Sequence, residues 1–146
     1  MEELLQLFNT ISPLSPALES HLRHILERNT FPKGEYLLQA GHVCDSMHYL
    51  ESGLVRCFYQ NGTQEINTWF MQAGNVVISA ESFFRQVKSY QYIQALDDCI
   101  TWSITHQELQ DIYKQYPEFN LHRAALLEKC FVASKKWQRM LSLNSA

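Results

Sequence analysis

Apolar residues in the first part of the chain recur at helical spacing. Leu18, Leu22 and Leu26 fall on one helical face. Ser15 is a favoured N-cap residue, and Pro16 follows it at the first helical position, where a missing N–H costs nothing. The pattern therefore predicts that roughly the first thirty residues are helical.

From residue 31 to about residue 105 the pattern changes to short apolar and aromatic segments separated by glycines. All five glycines lie within the first 74 residues, and glycine tolerates the positive φ of tight turns. Asn61-Gly62 predicts a hairpin with a type I′ turn, because both residues accept positive φ. The spacing predicts a roll of short antiparallel strands. The predicted strands are Tyr36–Leu38, Met47–Leu50, Leu54–Tyr59, Ile66–Met71, Tyr90–Leu96 and Cys99–Ile104.

The helical period returns after the last predicted strand. Thr105 and Glu108 have the spacing of a capping box, in which each side chain satisfies a free N–H of the first turn. We expect this helix to reach about Tyr116, and Pro117 to begin a long helix that runs to about Leu143.

The long helix carries an apolar face whose members repeat at intervals of four and three residues, as in a coiled coil. This face is wide enough to pack on the roll and on a partner helix at once, so we expect a homodimer. We divide the chain into a roll with N-terminal helices, residues 1–116, and a dimerisation helix with the start of a hinge, residues 117–146. The predicted interface residues are Leu126, Leu127, Cys130, Phe131, Ala133, Trp137 and Met140.

Composition narrows the functional classes. The net charge is −3, with 12 basic and 15 acidic residues, so the chain lacks the basic excess of a nucleic-acid-binding domain. A hydrophobic share of 46% excludes wholesale disorder. The four cysteines form no CxxC pair, and the chain has neither a signal-peptide pattern nor an apolar run of membrane-spanning length. We expect a cytoplasmic protein with reduced thiols, no membrane contact and no bound metal.

Two sequence motifs resemble the cyclic-nucleotide-binding domain of the Crp/Fnr transcription regulators. They are Phe31-Pro32-Lys33-Gly34-Glu35, followed by Gly41, and the segment from Met47 to Val55, which contains an aromatic-apolar strand ending in Ser-Gly. The resemblance covers nearly the whole chain. It implies a mainly β fold with flanking helices, a double-stranded β-helix or jelly roll, and a long C-terminal dimerisation helix. Such regulators continue into a helix-turn-helix that contacts DNA. We expect this chain to be an excised sensor domain without it, and a naturally short member is the alternative.

The resemblance also places the phosphate cassette of that family. Its members hold a cyclic phosphate with a Gly-Glu pair and an Arg about ten residues later, which a neutral side chain cannot replace. Counting back from Ala95, these positions are occupied here by Ile78-Ser79 and Ser89. Conventional cyclic-AMP binding is therefore not expected. A different small effector, or a filled cavity with no effector, are the alternatives. Candidate ligand-contacting residues are Ser79, Glu81, Ser82, Arg85, Ser89, Gln91 and, on the long helix, Ser134.

Other chemistry has less support in the sequence. His21 and His24 share a helical face, but no third metal ligand is near them in sequence. The chain contains no GxSxG, HExxH or Walker motif, so we expect no catalytic residues and no enzyme. Two other functions remain open. One is a cupin-like metalloenzyme on a similar roll, which would need clustered His and Glu ligands, and the other is an interaction module without a ligand.

Overall fold

The computed structural model describes residues 1–144, apart from the side chains of Trp137 and of residues 141–144. The helices are α1 (Glu2–Ile11), α2 (Pro16–Ile25), α3 (Ala80–Arg85), α4 (His106–Gln115) and α5 (Asn120–Asn144), with a 3-10 turn at Pro117–Phe119. The strands are β1 (Glu27–Phe31), β2 (Tyr36–Leu38), β3 (Ser46–Ser52), β4 (Leu54–Asn61), β5 (Gln64–Gln72), β6 (Val76–Val77), β7 (Tyr92–Ala95) and β8 (Cys99–Thr105).

The strands form two four-stranded antiparallel sheets, ordered β1-β8-β3-β6 and β2-β7-β4-β5. Fully buried side chains from both sheets share one core, among them Leu50 and Val77 of the first sheet and Val55 and Met71 of the second. Helices flank this roll at both ends of the chain. The predicted mainly β jelly roll with flanking helices and a C-terminal helix is confirmed.

The prediction of helix through residue 30 is wrong at its end. Helix α2 ends at Ile25, and Leu26 is already extended with ψ 126°. Strand β1 follows and pairs with β8 along its whole length, from Glu27 opposite Ser103 to Phe31 opposite Cys99. The partner strand is about seventy residues away in sequence, so no local pattern shows this pairing.

The β4–β5 hairpin is confirmed, but its predicted turn is shifted by one residue. Asn61 pairs with Gln64, so the two-residue turn is Gly62-Thr63. Gly62 has φ +66°, and neither Asn61 nor Thr63 has a positive φ. Positive φ at the first central position alone is the pattern of a type II′ turn, which requires glycine there.

Gly53, between β3 and β4, shows why the roll needs glycine at a corner. Its φ is +106°, and an added Cβ would lie 2.6 Å from both the Asp98 carbonyl oxygen and Cys99 Sγ. The corner therefore needs both the conformational range and the small volume of glycine. All five glycines adopt positive φ, which confirms that they are turn residues.

The predicted starts of α2 and α4 are also confirmed, whereas Pro117, the predicted start of the long helix, opens the 3-10 turn and α5 begins at Asn120. Ser15 Oγ accepts a hydrogen bond from the Leu18 N–H at 3.2 Å. Thr105 and Glu108 form the complete capping box, with both hydrogen bonds at 3.0 Å. None of the described helices combines the length and the hydropathy that a membrane span requires.

Candidate functional site

Four polar side chains meet inside the roll near the start of α3. Ser79 Oγ lies 3.3 Å from Ser89 Oγ and 3.4 Å from Gln91 Oε1. Gln91 Nε2 in turn donates to Thr68 Oγ1 at 3.3 Å. Ser79 and Ser89 are buried, with exposed fractions of 4% and 5%. We call Thr68, Ser79, Ser89 and Gln91 the polar cluster. It brings together three of the predicted site residues and adds Thr68.

A β-bulge places Thr68 in this cluster. Cys57 pairs with Trp69 while its neighbour Phe58 pairs with Asn67, so Thr68 is an extra residue on β5. Its hydroxyl donates to the Cys57 carbonyl at 3.2 Å and accepts from Gln91. Bulges re-aim side chains in this way, often next to functional sites. Sequence analysis missed Thr68 because a bulge depends on register between strands.

The other predicted residues of this segment lie outside the cluster. Ser82 Oγ accepts from the Cys44 N–H at 2.8 Å and donates to the Val87 carbonyl at 2.6 Å, so it holds backbone together. Arg85 pairs with Glu81 at 3.5 Å, with side chains 72% and 63% exposed. We place neither charge in the site.

A groove of about 490 Å³ lies between α5 and the roll, beside the polar cluster. Ile78 and Ala80 line it, whereas the hydroxyl of the intervening Ser79 belongs to the polar cluster. The predicted Ser134 also lines the groove. The remaining lining residues are Trp69, Leu127, Glu128, Cys130 and Phe131.

Helix α5 is fixed to the roll along the same stretch that lines the groove. Leu126 is 7% exposed and belongs to the core. Lys129 Nζ donates to the Gly74 carbonyl at 3.0 Å, and Cys130 Sγ lies 3.8 Å from the Val76 carbonyl oxygen. Burial raises the pKa of the Cys130 thiol to about 11, so this thiol stays protonated at neutral pH.

The predicted interface residues are distributed around α5. Leu126 points into its own core, while Leu127, Cys130 and Ala133 are half-buried. Phe131 is 63% exposed and Met140 is 41% exposed. The Trp137 side chain lies outside the described residues. The interface itself stays a prediction.

Trp69, one of the residues that line the groove, carries a buried donor without an acceptor. The Trp69 indole N–H is shielded from solvent and has no hydrogen-bond partner among the described residues. A buried donor without a partner costs roughly 1–3 kcal/mol, so such a group stands out in a folded protein.

Comparison with protein families identifies the fold. A family model described as "Cyclic nucleotide-binding domain" matches residues 28–116, more than half of the chain. The chain belongs to the cyclic nucleotide-binding domain family. No curated protein sequence matches it significantly.

Solved structures share the fold of this cyclic nucleotide-binding domain at low sequence identity. A domain of the same name from Methylobacillus flagellatus has a TM-score of 0.74 and 17% identity, covering 97% of this chain and 82% of the other. The sensor domain of the regulator DNR from Pseudomonas aeruginosa has a TM-score of 0.71 and 19% identity, and the match covers 88% of this chain and 88% of the other. The Thermus thermophilus Catabolite Activator Protein has a TM-score of 0.68 and 19% identity, and the match covers 90% of this chain and 62% of that protein.

The polar cluster of this cyclic nucleotide-binding domain has no cationic hydrogen-bond partner in the described part of the chain. Among the described residues, no Lys or Arg side chain forms a hydrogen bond with any of its four members. Arg56, a half-buried cation on β4, in the same sheet as Thr68, is bonded to other groups. Its guanidinium bonds Gln94 at 2.8 Å and Glu65 at 3.1 Å, and lies 3.9 Å from the centre of the Phe58 ring.

A second cavity, of about 310 Å³, opens into the roll of the cyclic nucleotide-binding domain near β2 and β3. His42, Cys44 and His48 are among its lining residues. Burial lowers the pKa of His48 to about 4, and burial raises the pKa of Cys44. No three His, Cys, Asp or Glu side chains in the described part of the chain are arranged to hold a metal ion.

Proposed function

We propose that the chain is the effector-sensing and dimerisation domain of a Crp/Fnr-type transcription regulator. Its membership of the cyclic nucleotide-binding family and its fold likeness to regulator sensor domains support this role. Residues 1–116 sense the effector and residues 117–146 carry the dimer contact. DNA is contacted only through a helix-turn-helix domain that residues 1–146 do not contain.

We further propose that the phosphate cassette is degenerate, and one observation carries this proposal. Ser79 and Ser89, at the positions where the family uses Glu and Arg, bond to each other at 3.3 Å. A cyclic nucleotide is an anion, and burying an anion without a cationic partner is strongly unfavourable. Two neutral hydroxyls supply no compensating charge, so cyclic AMP would not be held in the usual mode.

The mechanism that we propose is a population shift of α5. The helix contributes Leu127, Cys130 and Phe131 to the groove, so a molecule bound there contacts the roll and α5 together. An effector can bias the position of α5 only by the difference in its affinity for two arrangements. Phe131 and Val132, both more than 60% exposed, would transmit that bias to a partner helix.

Calorimetric titration with cyclic AMP and cyclic GMP tests the cassette. We expect no saturable heat at micromolar nucleotide, because no Lys or Arg among the described residues bonds the polar cluster where the phosphate would lie. Saturable binding at micromolar concentration or tighter would contradict the degenerate cassette.

Sedimentation tests the dimer. Phe131→Asp should shift the chain toward monomer, because it places a charge on the proposed helix contact. Tyr90→Asp is the matched control, since Tyr90 on the roll is also 63% exposed, and it should leave the dimer intact. A wild-type chain that is monomeric at high micromolar concentration would contradict the dimerisation role.

A further inference from the structure

We propose that the second cavity, beside the loop between β2 and β3, binds a small neutral polyol of the monosaccharide class. We call residues 39–45 the β2–β3 loop. The cavity has a volume of about 310 Å³, and none of the described residues of α5 lines it. The site is therefore separate from the groove and from the polar cluster, and it does not depend on the sensing role proposed above.

The charge around the cavity disfavours an anion and a metal ion. None of the described lining residues is Lys or Arg, and Asp45 places a carboxylate among them. Lys88, whose backbone pairs with Val43 of the β2–β3 loop, does not line the cavity. An anion would meet a carboxylate without a cationic partner, at a cost in repulsion and desolvation. A metal ion would lack a ligand set, because no three His, Cys, Asp or Glu side chains in the described part of the chain are grouped to hold one.

His48 contributes a neutral hydrogen-bonding group to the cavity. Its Nδ1 lies 2.9 Å from the hydroxyl oxygen of Thr101, which fixes the ring, and the side chain lines the cavity. Nε2 forms no hydrogen bond with any described residue, and it is not among the side-chain nitrogens that are both sealed from solvent and unpaired. Nε2 is therefore open to a ligand in the cavity. Burial lowers the pKa of His48 to about 4, so the ring carries no charge at neutral pH.

The other polar lining groups favour hydroxyls on the ligand. The Gln39 amide and the Ser46 hydroxyl both donate and accept hydrogen bonds, whereas the Asp45 carboxylate only accepts. Hydroxyls of a ligand do both, so one polyol can pair with all three groups. An organic cation gains little in addition, because ion pairs with an exposed carboxylate are weak. Val77 and Ile93, which are 1% and 2% exposed, give the cavity an apolar wall for the C–H groups of a sugar ring.

The cavity is small, and its loop is held in place. A volume of about 310 Å³ lies at the low end of the range for small-molecule sites, about 300–1,000 Å³. The Gly41 N–H donates to the Ser89 carbonyl at 2.7 Å, and the Ser89 N–H donates to the His42 carbonyl at 2.8 Å. The Cys44 N–H donates to Ser82 Oγ at 2.8 Å. A loop that is already ordered loses little entropy when a ligand binds, which favours the binding of a small molecule.

Nuclear magnetic resonance titration of the full chain with neutral sugars tests the site. The panel contains D-glucose, D-galactose, D-mannose and D-xylose. Long-range ¹H–¹⁵N spectra report on the ring nitrogens of His48, whose signals are assigned with His48→Gln, and backbone spectra report on the β2–β3 loop. We expect at least one sugar of the panel, at millimolar concentration, to shift the His48 Nε2 signal and the loop amides saturably.

Charged derivatives of the best-binding sugar test the selection for a neutral ligand. The acid derivative, D-glucuronate in the case of D-glucose, should bind at least about tenfold more weakly than its parent, which corresponds to about 1.4 kcal/mol. The amino derivative, D-glucosamine in the case of D-glucose, should bind within about fivefold of its parent, because one exposed carboxylate adds little.

Two matched variants locate the sugar. Asp45→Ala removes an acceptor at the cavity and should weaken sugar binding about tenfold, as expected for a hydrogen bond to a charged group. Asp111→Ala removes an exposed carboxylate on α4 that does not line the cavity, and it should leave the affinity unchanged. The dispersion of the backbone amide signals verifies that both variants fold.

Four outcomes would overturn the proposal. The first is no shift of the His48 Nε2 signal with any sugar of the panel. The second is an acid derivative that binds as tightly as its parent sugar. The third is an amino derivative that binds more than about fivefold tighter than its parent, which would make the site one for cations. The fourth is equal sugar affinity in Asp45→Ala and Asp111→Ala.

Discussion

Acidification should destabilise this fold through one partly buried histidine. His48, on β3, has its Nδ1 at 2.9 Å from Thr101 Oγ1 and its ring against Phe31. Burial lowers its pKa from 6.5 to about 4, with Asp45 partly opposing the change. The imidazole is therefore neutral in the folded chain at pH values where the unfolded chain already binds the proton.

The sign and size of the effect follow from that difference. The pKa of His48 is lower in the folded chain than in the unfolded chain. Its contribution to the free energy of unfolding is therefore fully present above pH 6.5 and is lost as the pH falls toward 4. One pH unit of separation corresponds to about 1.4 kcal/mol. A separation of about 2.5 units, from 6.5 to about 4, therefore predicts a loss of about 3 kcal/mol at pH 4 and below.

Urea unfolding measured across this pH range provides the assay. His48→Gln keeps a hydrogen-bonding side chain toward Thr101 but does not titrate, so its unfolding free energy should fall by about 3 kcal/mol less than that of the wild type. His24→Gln, at an exposed position on α2, is the control and should follow the wild type. Equal pH dependence in His48→Gln and wild type would refute the assignment of the effect to His48.

Two further predictions concern the corners and caps of the fold. Gly34→Ala and Gly53→Ala both meet positive φ, but only Gly53 has backbone within 3 Å of a new Cβ. In urea unfolding, Gly34→Ala should therefore lower the free energy of unfolding by about 1–2 kcal/mol, and Gly53→Ala should lower it by about 2–3 kcal/mol more. Equal losses in the two variants would refute the clash at Gly53. Thr105→Ala removes the hydroxyl of the capping box and should cost about 1 kcal/mol in the same assay, whereas an unchanged midpoint would show that the cap contributes nothing.

The elements that the sequence predicts well are those coded by neighbouring residues. The capping box of Thr105 and Glu108 lies within one helical turn, so its hydrogen bonds form wherever α4 forms. Four of the five glycine corners are equally local, since each depends on the φ of one residue, whereas the corner at Gly53 also depends on the close approach of Asp98 and Cys99. These local rules define the roll and most of its strand positions.

The elements that were missed depend on partners distant in sequence. Strand β1 exists because β8 pairs with it, and the shifted turn at Gly62 follows from the register of β4 and β5. The site shows the same division. The resemblance to the Crp/Fnr family places Ser79 and Ser89 at the phosphate positions, and the structure brings the two hydroxyls together. Sequence analysis did not identify Thr68 or the Trp69 donor, because their positions depend on the bulge in β5 and on the packing of α5 against the roll.

Titration of cyclic AMP into the wild type and into the double variant Ser79→Glu/Ser89→Arg tests the central claim most directly. The claim is that the roll retains the fold of a cyclic nucleotide-binding domain while its phosphate position is neutral. The variant restores the family's acidic and basic residues at the two positions whose serine hydroxyl oxygens lie 3.3 Å apart in the wild type. Circular dichroism verifies that the variant folds. We predict no saturable heat for the wild type and measurable binding by the folded variant. Micromolar binding by the wild type would contradict the claim.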